Sequence, residues 1–204
     1  GPAFHPVISP DGRYLAYSSK IEGANGESET RVINLYTEES YKLDVSSAGI
    51  PRWREVDGKI YLIYGDNTSS NQDFNEWTNK GKTWSVEFDA TGFGTPEVIL
   101  AEGAYTGGVD SSGRYFASGY TQLRTYDINS EKSTRHFQYP DHGKIEEASD
   151  QVCNVSLSPG KEAEMLFLDF GYNEKSEVTG DSYGIHALIF RMGIEGEITR
   201  WYHV

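Results

Sequence analysis

The sequence contains a single cysteine, Cys153, in 204 residues, so no internal disulfide can form. It has no apolar run near the roughly 20 residues of a membrane-spanning helix, which predicts no membrane span. Basic residues are also few, because 18 Lys and Arg stand against 31 Asp and Glu, giving a formal net charge of −13. They are scattered singly, and a negative field repels phosphate backbones, so we expect no nucleic-acid partner for this acidic protein.

What the sequence does contain is a repeat. Four octets, each ending in glycine and followed by an apolar stretch, occupy 5–12, 51–58, 106–113 and 153–160. The closing glycines stand at positions 12, 58, 113 and 160, so they are 46, 55 and 47 residues apart. That period is typical of one four-stranded propeller blade. A closing Asp-Gly or similar pair predicts a tight turn, because Asp bonds its own backbone and Gly tolerates positive φ.

Each octet and its sequel predict two strands, and two more follow. Third strands are expected at 30–36, 83–88, 122–128 and 186–192, and fourth strands at 40–45, 97–101, 132–139 and 197–203. No segment has a helical period. The sequence therefore predicts one all-β propeller domain of four four-stranded blades, at approximately 4–45, 46–102, 103–148 and 149–204. These blades close alone or form part of a five-bladed or larger ring. A β-sandwich is the alternative, but it does not predict a recurring octet.

The segment SPDGRYLAYSS resembles the repeats of TolB-like WD-type propellers, most closely at 4–19, then at 106–120 and 153–170. The whole chain resembles a paralogous family of Fibrobacter proteins through the phrases HPVISPDG, IPRW, Cys-Asn and LFLDFG in this order. The first resemblance implies a docking platform rather than a catalyst, and the second a role in cell-wall degradation. We expect an exported protein, periplasmic, cell-surface or extracellular. Gly1-Pro2 resembles a protease-cleavage remnant, so a native leader would already be absent.

Propeller topology places tight turns on one face and long loops on the other, where function concentrates. The long loops are expected at 21–29, 66–82 and 172–185. Their rings, amides and carboxylates suit sugars, because sugar C–H faces stack on rings and hydroxyls bond amides and carboxylates. The predicted ligand-binding residues are, from the loops, Asp66, Asn67, Asp73, Trp77, Tyr172, Asp181 and Tyr183 and, from the first strands, His5, Arg52, Trp53 and Asn154.

Several of these residues have alternative interpretations. Trp53 also fits the core between blades, and His5 also fits a bond to a backbone group. The oxygens of Asp66, Asn67, Asn71, Asp73 and Glu76 could ligate Ca²⁺, although the spacing is not that of an EF-hand; no other cofactor is predicted. Residues 79–84 (NKGKTW) resemble the sialidase Asp-box, which is structural and names no catalytic residue.

The function predicted from these observations is non-catalytic binding of a glycan, a plant cell-wall polysaccharide, through the long-loop face. The alternative is a protein-docking scaffold of the TolB-like type, whose acidic surface would meet a basic partner. A third hypothesis is a glycoside hydrolase using two of Asp66, Asp73, Asp169 and Asp181. No catalytic residue is predicted, since the chain has no GxSxG, HExxH, phosphate loop or Cys/His metal spacing.

Overall fold

A computed structural model describes residues 3–19, 28–45, 49–66, 82–101, 107–118, 123–137, 152–158, 163–169, 182, 184 and 187–203. Within these ranges all regular structure is β-strand and no helix occurs. The chain divides into two compact units, residues 1–106 and 107–204.

The first unit contains two antiparallel sheets. The first sheet has strand order β1-β2-β3-β4, comprising β1 (Phe4–Ile8), β2 (Tyr14–Ser18), β3 (Thr30–Asn34) and β4 (Ser40–Lys42). The second consists of β5 (Gly49–Val56), β6 (Lys59–Gly65), β7 (Thr83–Asp89), β8 (Gly92–Phe93) and β9 (Glu97–Leu100). Both β8 and β9 pair with β7, so together they form one interrupted outer strand.

The second unit repeats the arrangement. Its first sheet has β10 (Gly108–Val109), β11 (Tyr115–Ser118), β12 (Leu123–Asp127) and β13 (Lys132–Phe137) in that order. Its second has β14 (Val152–Leu157), β15 (Glu164–Asp169), β16 (Leu188–Gly193) and β17 (Ile198–His203).

The predicted fold class, an all-β propeller with four four-stranded blades, is confirmed. Each sheet lies inside the predicted bounds of its blade, and we number the blades 1 to 4 in chain order. The described residues contain seventeen strands instead of sixteen, because Gly94, Thr95 and Pro96 interrupt the outer strand of blade 2. Pro96 has no N–H to give to the ladder. The single domain and the larger ring stay predictions.

The first hairpin of blade 1 is closed by a turn that ends in a left-handed glycine. Gly12 has φ +72° and its N–H donates to the carbonyl of Ser9 at 2.9 Å. The Ser9 hydroxyl donates to Asp11 Oδ1 at 2.5 Å and accepts from the Tyr14 N–H at 2.9 Å. A β-carbon is disfavoured at positive φ, so glycine suits this position best.

Blade 3 contains the same turn, but the Ser and Asp side chains have exchanged positions. Gly113 has φ +68°, and its N–H donates to the carbonyl of Asp110 at 3.0 Å. Here the carboxylate comes first: Asp110 Oδ1 accepts from the Tyr115 N–H at 2.7 Å, and Asp110 Oδ2 accepts from the Ser112 hydroxyl at 2.5 Å. The predicted octet therefore corresponds to a hydrogen-bonded turn that either Ser-x-Asp or Asp-x-Ser can form.

The core of the first unit is an aromatic cluster around Phe88, which is 1% exposed. Tyr14, Tyr41 and Trp53 meet its ring edge-on, with centroids at 5.0, 5.3 and 5.8 Å. Phe93 packs against it at 5.0 Å. Because Tyr14 and Tyr41 belong to blade 1 and the others to blade 2, Phe88 joins the two sheets.

The core of the second unit is more aliphatic. Phe167 of blade 4 stacks on Phe190 of the same blade, with centroids 5.3 Å apart. The other buried members come from both blades and are Ala117, Leu123, Val155, Leu157, Met165, Leu188 and Met192. Blades 3 and 4 are thus joined by one continuous apolar layer.

Replacing the central ring of the first unit should strongly destabilise it. We expect Phe88→Ala to lower the free energy of unfolding by about 3–5 kcal/mol, because the cavity removes four aromatic contacts. Urea denaturation followed by tryptophan fluorescence measures this. Tyr36→Ala is the matched control, since Tyr36 is 78% exposed and should change stability by less than about 0.5 kcal/mol. Equal effects of the two changes would contradict the assigned core.

One histidine in the second unit lies in a site that disfavours its charge. His136 Nε2 is hydrogen-bonded to the Thr125 hydroxyl, and a β-carbon at Gly196 would lie 3.1 Å from Nδ1. Burial lowers the pKa of His136 from its ordinary 6.5, and the charge of Glu195 opposes this only in part. The imidazole is therefore neutral at neutral pH.

This lowered pKa predicts an acid-sensitive contribution to stability. The unfolded chain binds the His136 proton more readily than the folded chain, so the stabilisation is present above about pH 6.5 and is lost as the pH falls below that value. We expect the urea midpoint of the wild type to fall more between about pH 7.5 and about pH 5.5 than that of His136→Gln, which cannot titrate. Identical losses would show that His136 is not responsible.

Candidate functional site

The longest predicted loop begins and ends at a clamp formed by Asp66. Its N–H donates to the carbonyl of Lys82 at 3.1 Å, and its Oδ1 accepts from the Lys82 N–H at 2.6 Å. Its second oxygen, Oδ2, accepts from the indole N–H of Trp84 at 2.8 Å. Asp66 and Lys82, the two residues that flank segment 67–81, are therefore hydrogen-bonded neighbours.

Two rings hold this clamp to the body of blade 2. Tyr64, fully buried on β6, stacks on Trp84 of β7 with the planes 5° apart and the centroids at 6.4 Å. Burial, aided by the charge of Asp66, raises the pKa of Tyr64 to about 12, so its phenol stays protonated. The clamp therefore rests on packed side chains of β6 and β7, which gives it a rigid base.

Trp53 lies within the core. Its side chain is 7% exposed, and its indole N–H donates to the carbonyl of Val7 at 3.0 Å. The ring also meets Phe88 edge-on. Through these contacts Trp53 links blades 1 and 2, which is the alternative interpretation given in the sequence analysis. Its contact with a ligand stays a prediction.

The other predicted first-strand residues lie at irregular places in the ladder. Pairing between first and second strands shifts register within 4–7, 49–52 and 153–156, in blades 1, 2 and 4. His5 has φ +52°, and the Arg52 guanidinium donates to the carbonyl of Pro51 at 2.9 Å. Asn154 lies within the third shift. Such bulges redirect side chains and often flank functional sites, although the ligand roles of these residues stay predictions.

Six predicted ligand residues lie outside the described residues and stay predictions: Asn67, Asp73, Trp77, Tyr172, Asp181 and Tyr183. Of the proposed calcium ligands, Asp66 is described, and each of its carboxylate oxygens accepts a hydrogen bond. In the described part of the chain, no group of three or more His, Cys, Asp or Glu could hold a metal ion. Nor does that part contain a helix with the length and apolarity needed to span a membrane.

Sequence reasoning missed a surface at the interrupted outer strand of blade 2. Two cavities, of about 370 and 330 Å³, lie on the two sides of residues 91–94. We call the larger one the rim groove; it is lined by Tyr61, Ser85, Glu87, Asp89, Thr91, Gly92, Phe93, Gly94, Thr95 and Glu97. The smaller one borders 41–45 of blade 1. The motif Gly92-Phe93-Gly94-Thr95-Pro96 was the available signal, because Gly and Pro together break a strand.

The rim groove carries an excess of negative charge. Glu87 pairs with Lys59, whose Nζ lies 2.9 Å from Glu87 Oε1, and this contact raises the pKa of Lys59. Asp89 accepts from the hydroxyl and N–H of Thr91 at 2.6 and 2.7 Å. These bonds lower the pKa of Asp89 and keep it ionised. With Glu97, three carboxylates line the groove, and none of its described lining residues is basic.

No family model and no curated protein matches the chain. Among solved structures, it is similar to a TolB candidate from Agrobacterium tumefaciens, with 18% identity and a TM-score of 0.58, over 100% of this chain and 61% of that one. It is also similar to a puromycin-hydrolysing peptidase from Mycobacterium tuberculosis, with 14% identity and a TM-score of 0.57, over 97% of this chain and 28% of that one. A third similar structure comes from a study of two prolyl endopeptidases, with 10% identity and a TM-score of 0.50, over 100% of this chain and 35% of that one.

These likenesses show the fold alone. They confirm the propeller fold, which this chain shares with the TolB candidate, whereas the resemblance to a Fibrobacter family stays a prediction. The chain spans less than two thirds of the length of each of these structures. Both peptidases extend far beyond the matched part, so their activities say nothing direct about this chain.

Removing the charge of the clamp should open the loop. In Asp66→Asn one carboxylate oxygen becomes an N–H₂, which faces the N–H of Lys82 or of Trp84, so we expect a loss of about 1–2 kcal/mol of local stability. Trypsin should then cleave after Lys80 several times faster under native conditions. Asp57→Asn is the matched control, because Asp57 lies in the β5–β6 turn at φ +52°, a conformation that asparagine tolerates. Unchanged cleavage in Asp66→Asn would show that the clamp does not hold the loop.

Proposed function

We propose that this chain is a non-catalytic binding propeller that recognises a polysaccharide or oligosaccharide of the plant cell wall through segment 67–81. The observation that carries the proposal is the Asp66 clamp, which joins the flanking residues Asp66 and Lys82 by two hydrogen bonds and ties Asp66 to Trp84 by a third. A loop with a fixed base loses less entropy on binding than one whose ends move freely.

The composition of the segment points to the class of ligand. Residues 67–81 contain one Trp and one Phe together with four Asn and one Asp. Rings stack on the C–H faces of sugars, and amides and carboxylates bond pairs of hydroxyls. Export, and membership of a Fibrobacter-like family with a role in cell-wall degradation, belong to the same proposal, since a polymeric wall glycan is met outside the cell.

Trp77 provides the test. We expect the wild type to co-sediment with insoluble cellulose or to bind cello-oligosaccharides, and Trp77→Ala to bind at least about tenfold more weakly, since one stacked ring contributes about 1–2 kcal/mol. Isothermal titration calorimetry with cellohexaose measures the soluble ligand. Trp201→Ala is the matched control, because Trp201 is 38% exposed on β17 and lies in the other unit.

Two outcomes would contradict the proposal. If the wild type bound no member of a plant cell-wall glycan array, a plant cell-wall glycan would be excluded as the ligand. If Trp77→Ala and Trp201→Ala weakened binding equally, segment 67–81 would be excluded as the binding site.

A protein-docking scaffold is the second candidate, and the rim groove is the observation that favours it. The TolB-like fold is compatible with such a role. Affinity for a basic protein partner should fall steeply with ionic strength, whereas sugar stacking should be nearly insensitive to salt.

A further inference from the structure

We propose that the rim groove is a docking site for an extended, lysine- or arginine-bearing segment of a partner protein. This deepens the docking candidate above and is independent of the glycan proposal, because it concerns a different surface of blade 2. The proposal stands on the shape of the interrupted strand, on the open floor of the groove and on the arrangement of its charges.

The shape comes from a break in hydrogen bonding along β7. The Gly94 N–H donates to the carbonyl of Glu87 at 2.8 Å, and pairing resumes where Glu97 lies opposite Ser85. Between these points Thr95 and Pro96 leave the ladder. The edge of the sheet is therefore indented, and a cavity of about 370 Å³ lies along it.

The floor of the groove is open because position 94 has no side chain. A β-carbon on Gly94 would lie 3.6 Å from the carbonyl oxygen of Glu87 and 3.7 Å from its Cβ, which is ordinary contact. The backbone there is not left-handed, so a larger residue fits the chain without strain. Such a residue would instead occupy the groove.

The carboxylates of the groove are spaced like alternate side chains of an extended peptide. Glu87 and Asp89 lie two residues apart on β7, so both project from the same face at a separation of about 6.6–6.8 Å. Residues i and i+2 of an extended peptide have the same separation. Glu97 adds a third carboxylate to the groove. The ring of Tyr61 lines it too, and the Arg54 guanidinium already lies over that ring, 6.0 Å from its centroid.

A basic peptide fits these features better than a neutral glycan does. Lys59 pairs with Glu87, and the described residues that line the groove include two further carboxylates, those of Asp89 and Glu97, and no basic side chain. A neutral sugar would leave that charge uncompensated, whereas two lysines at alternate positions would neutralise it.

The test uses the full chain and a fluorescein-labelled hexapeptide of alternating lysine and valine, with a glutamate–valine peptide as the probe of opposite charge. We expect fluorescence anisotropy to report binding of the lysine peptide that weakens at least fivefold between about 50 and about 500 mM NaCl. Glu97→Gln should weaken binding about threefold to tenfold. Glu197→Gln is the matched control, since Glu197 is also exposed and stands just before the outer strand of blade 4.

A second pair of variants tests the shape. Gly94→Val should abolish most of the binding by filling the groove, whereas Gly193→Val should not, because Gly193 lies in the other unit with its nearest contact at 4.0 Å. Circular dichroism and urea midpoints check that each variant folds. If Gly94→Val does not fold, the pair Glu97→Gln and Glu197→Gln still decides the proposal.

Four results would overturn the proposal: no binding of the lysine peptide, equal binding of the glutamate peptide, equal weakening by Glu97→Gln and Glu197→Gln, or displacement of the lysine peptide by cellohexaose alone. The last would assign the groove to a glycan. Loss of cellulose binding in Trp77→Ala bears only on the glycan proposal, so the two can fail separately.

Discussion

A four-stranded blade has two faces and cannot bury either one by itself, so everything else in this protein depends on the packing of one blade against the next. In the first unit that packing is concentrated at Phe88, which meets rings from both blades. The link extends to the backbone, since Trp53 of blade 2 donates its indole N–H to Val7 of blade 1. Surface features such as the Asp66 clamp and the rim groove have defined positions only because this layer fixes the strands beneath them.

The blade pattern could be predicted because its determinants are local. Alternating apolar residues and a closing Asp-Gly or Ser-Gly pair are short-range signals, and they placed third strands such as Thr83–Asp89 within one or two residues of their observed bounds. The turn of blade 3 shows what such a repeat specifies. Asp110 and Ser112 exchange the roles of Ser9 and Asp11, so the geometry recurs although the residues do not.

The candidate site could be predicted only in outline, because its key contacts join residues distant in the sequence. Asp66 was a plausible ligand from its loop position, yet its two oxygens accept bonds from Lys82 and Trp84, 16 and 18 residues away. Trp53 shows the same limit, since only the fold reveals Val7 as its acceptor, 46 residues away. The rim groove was missed because Gly94–Pro96 reads locally as an ordinary turn, and its significance depends on β9 rejoining β7 beyond it.

The negative charge of the chain has a different role from the interactions that stabilise its fold. Each blade has at least one ion pair between its own residues, among them Arg114–Asp127 in blade 3 and Arg191–Glu164 in blade 4. Hydrogen bonds from Arg114 hold the pKa of the Asp127 carboxyl far below its usual range, so that pair stays charged at any physiological pH. Partly exposed pairs of this kind contribute little to stability, and the aromatic and aliphatic cores hold the blades together without them. The excess of carboxylates is therefore not required for folding and is a property of the surface. It determines which charged molecules the propeller attracts and which it repels.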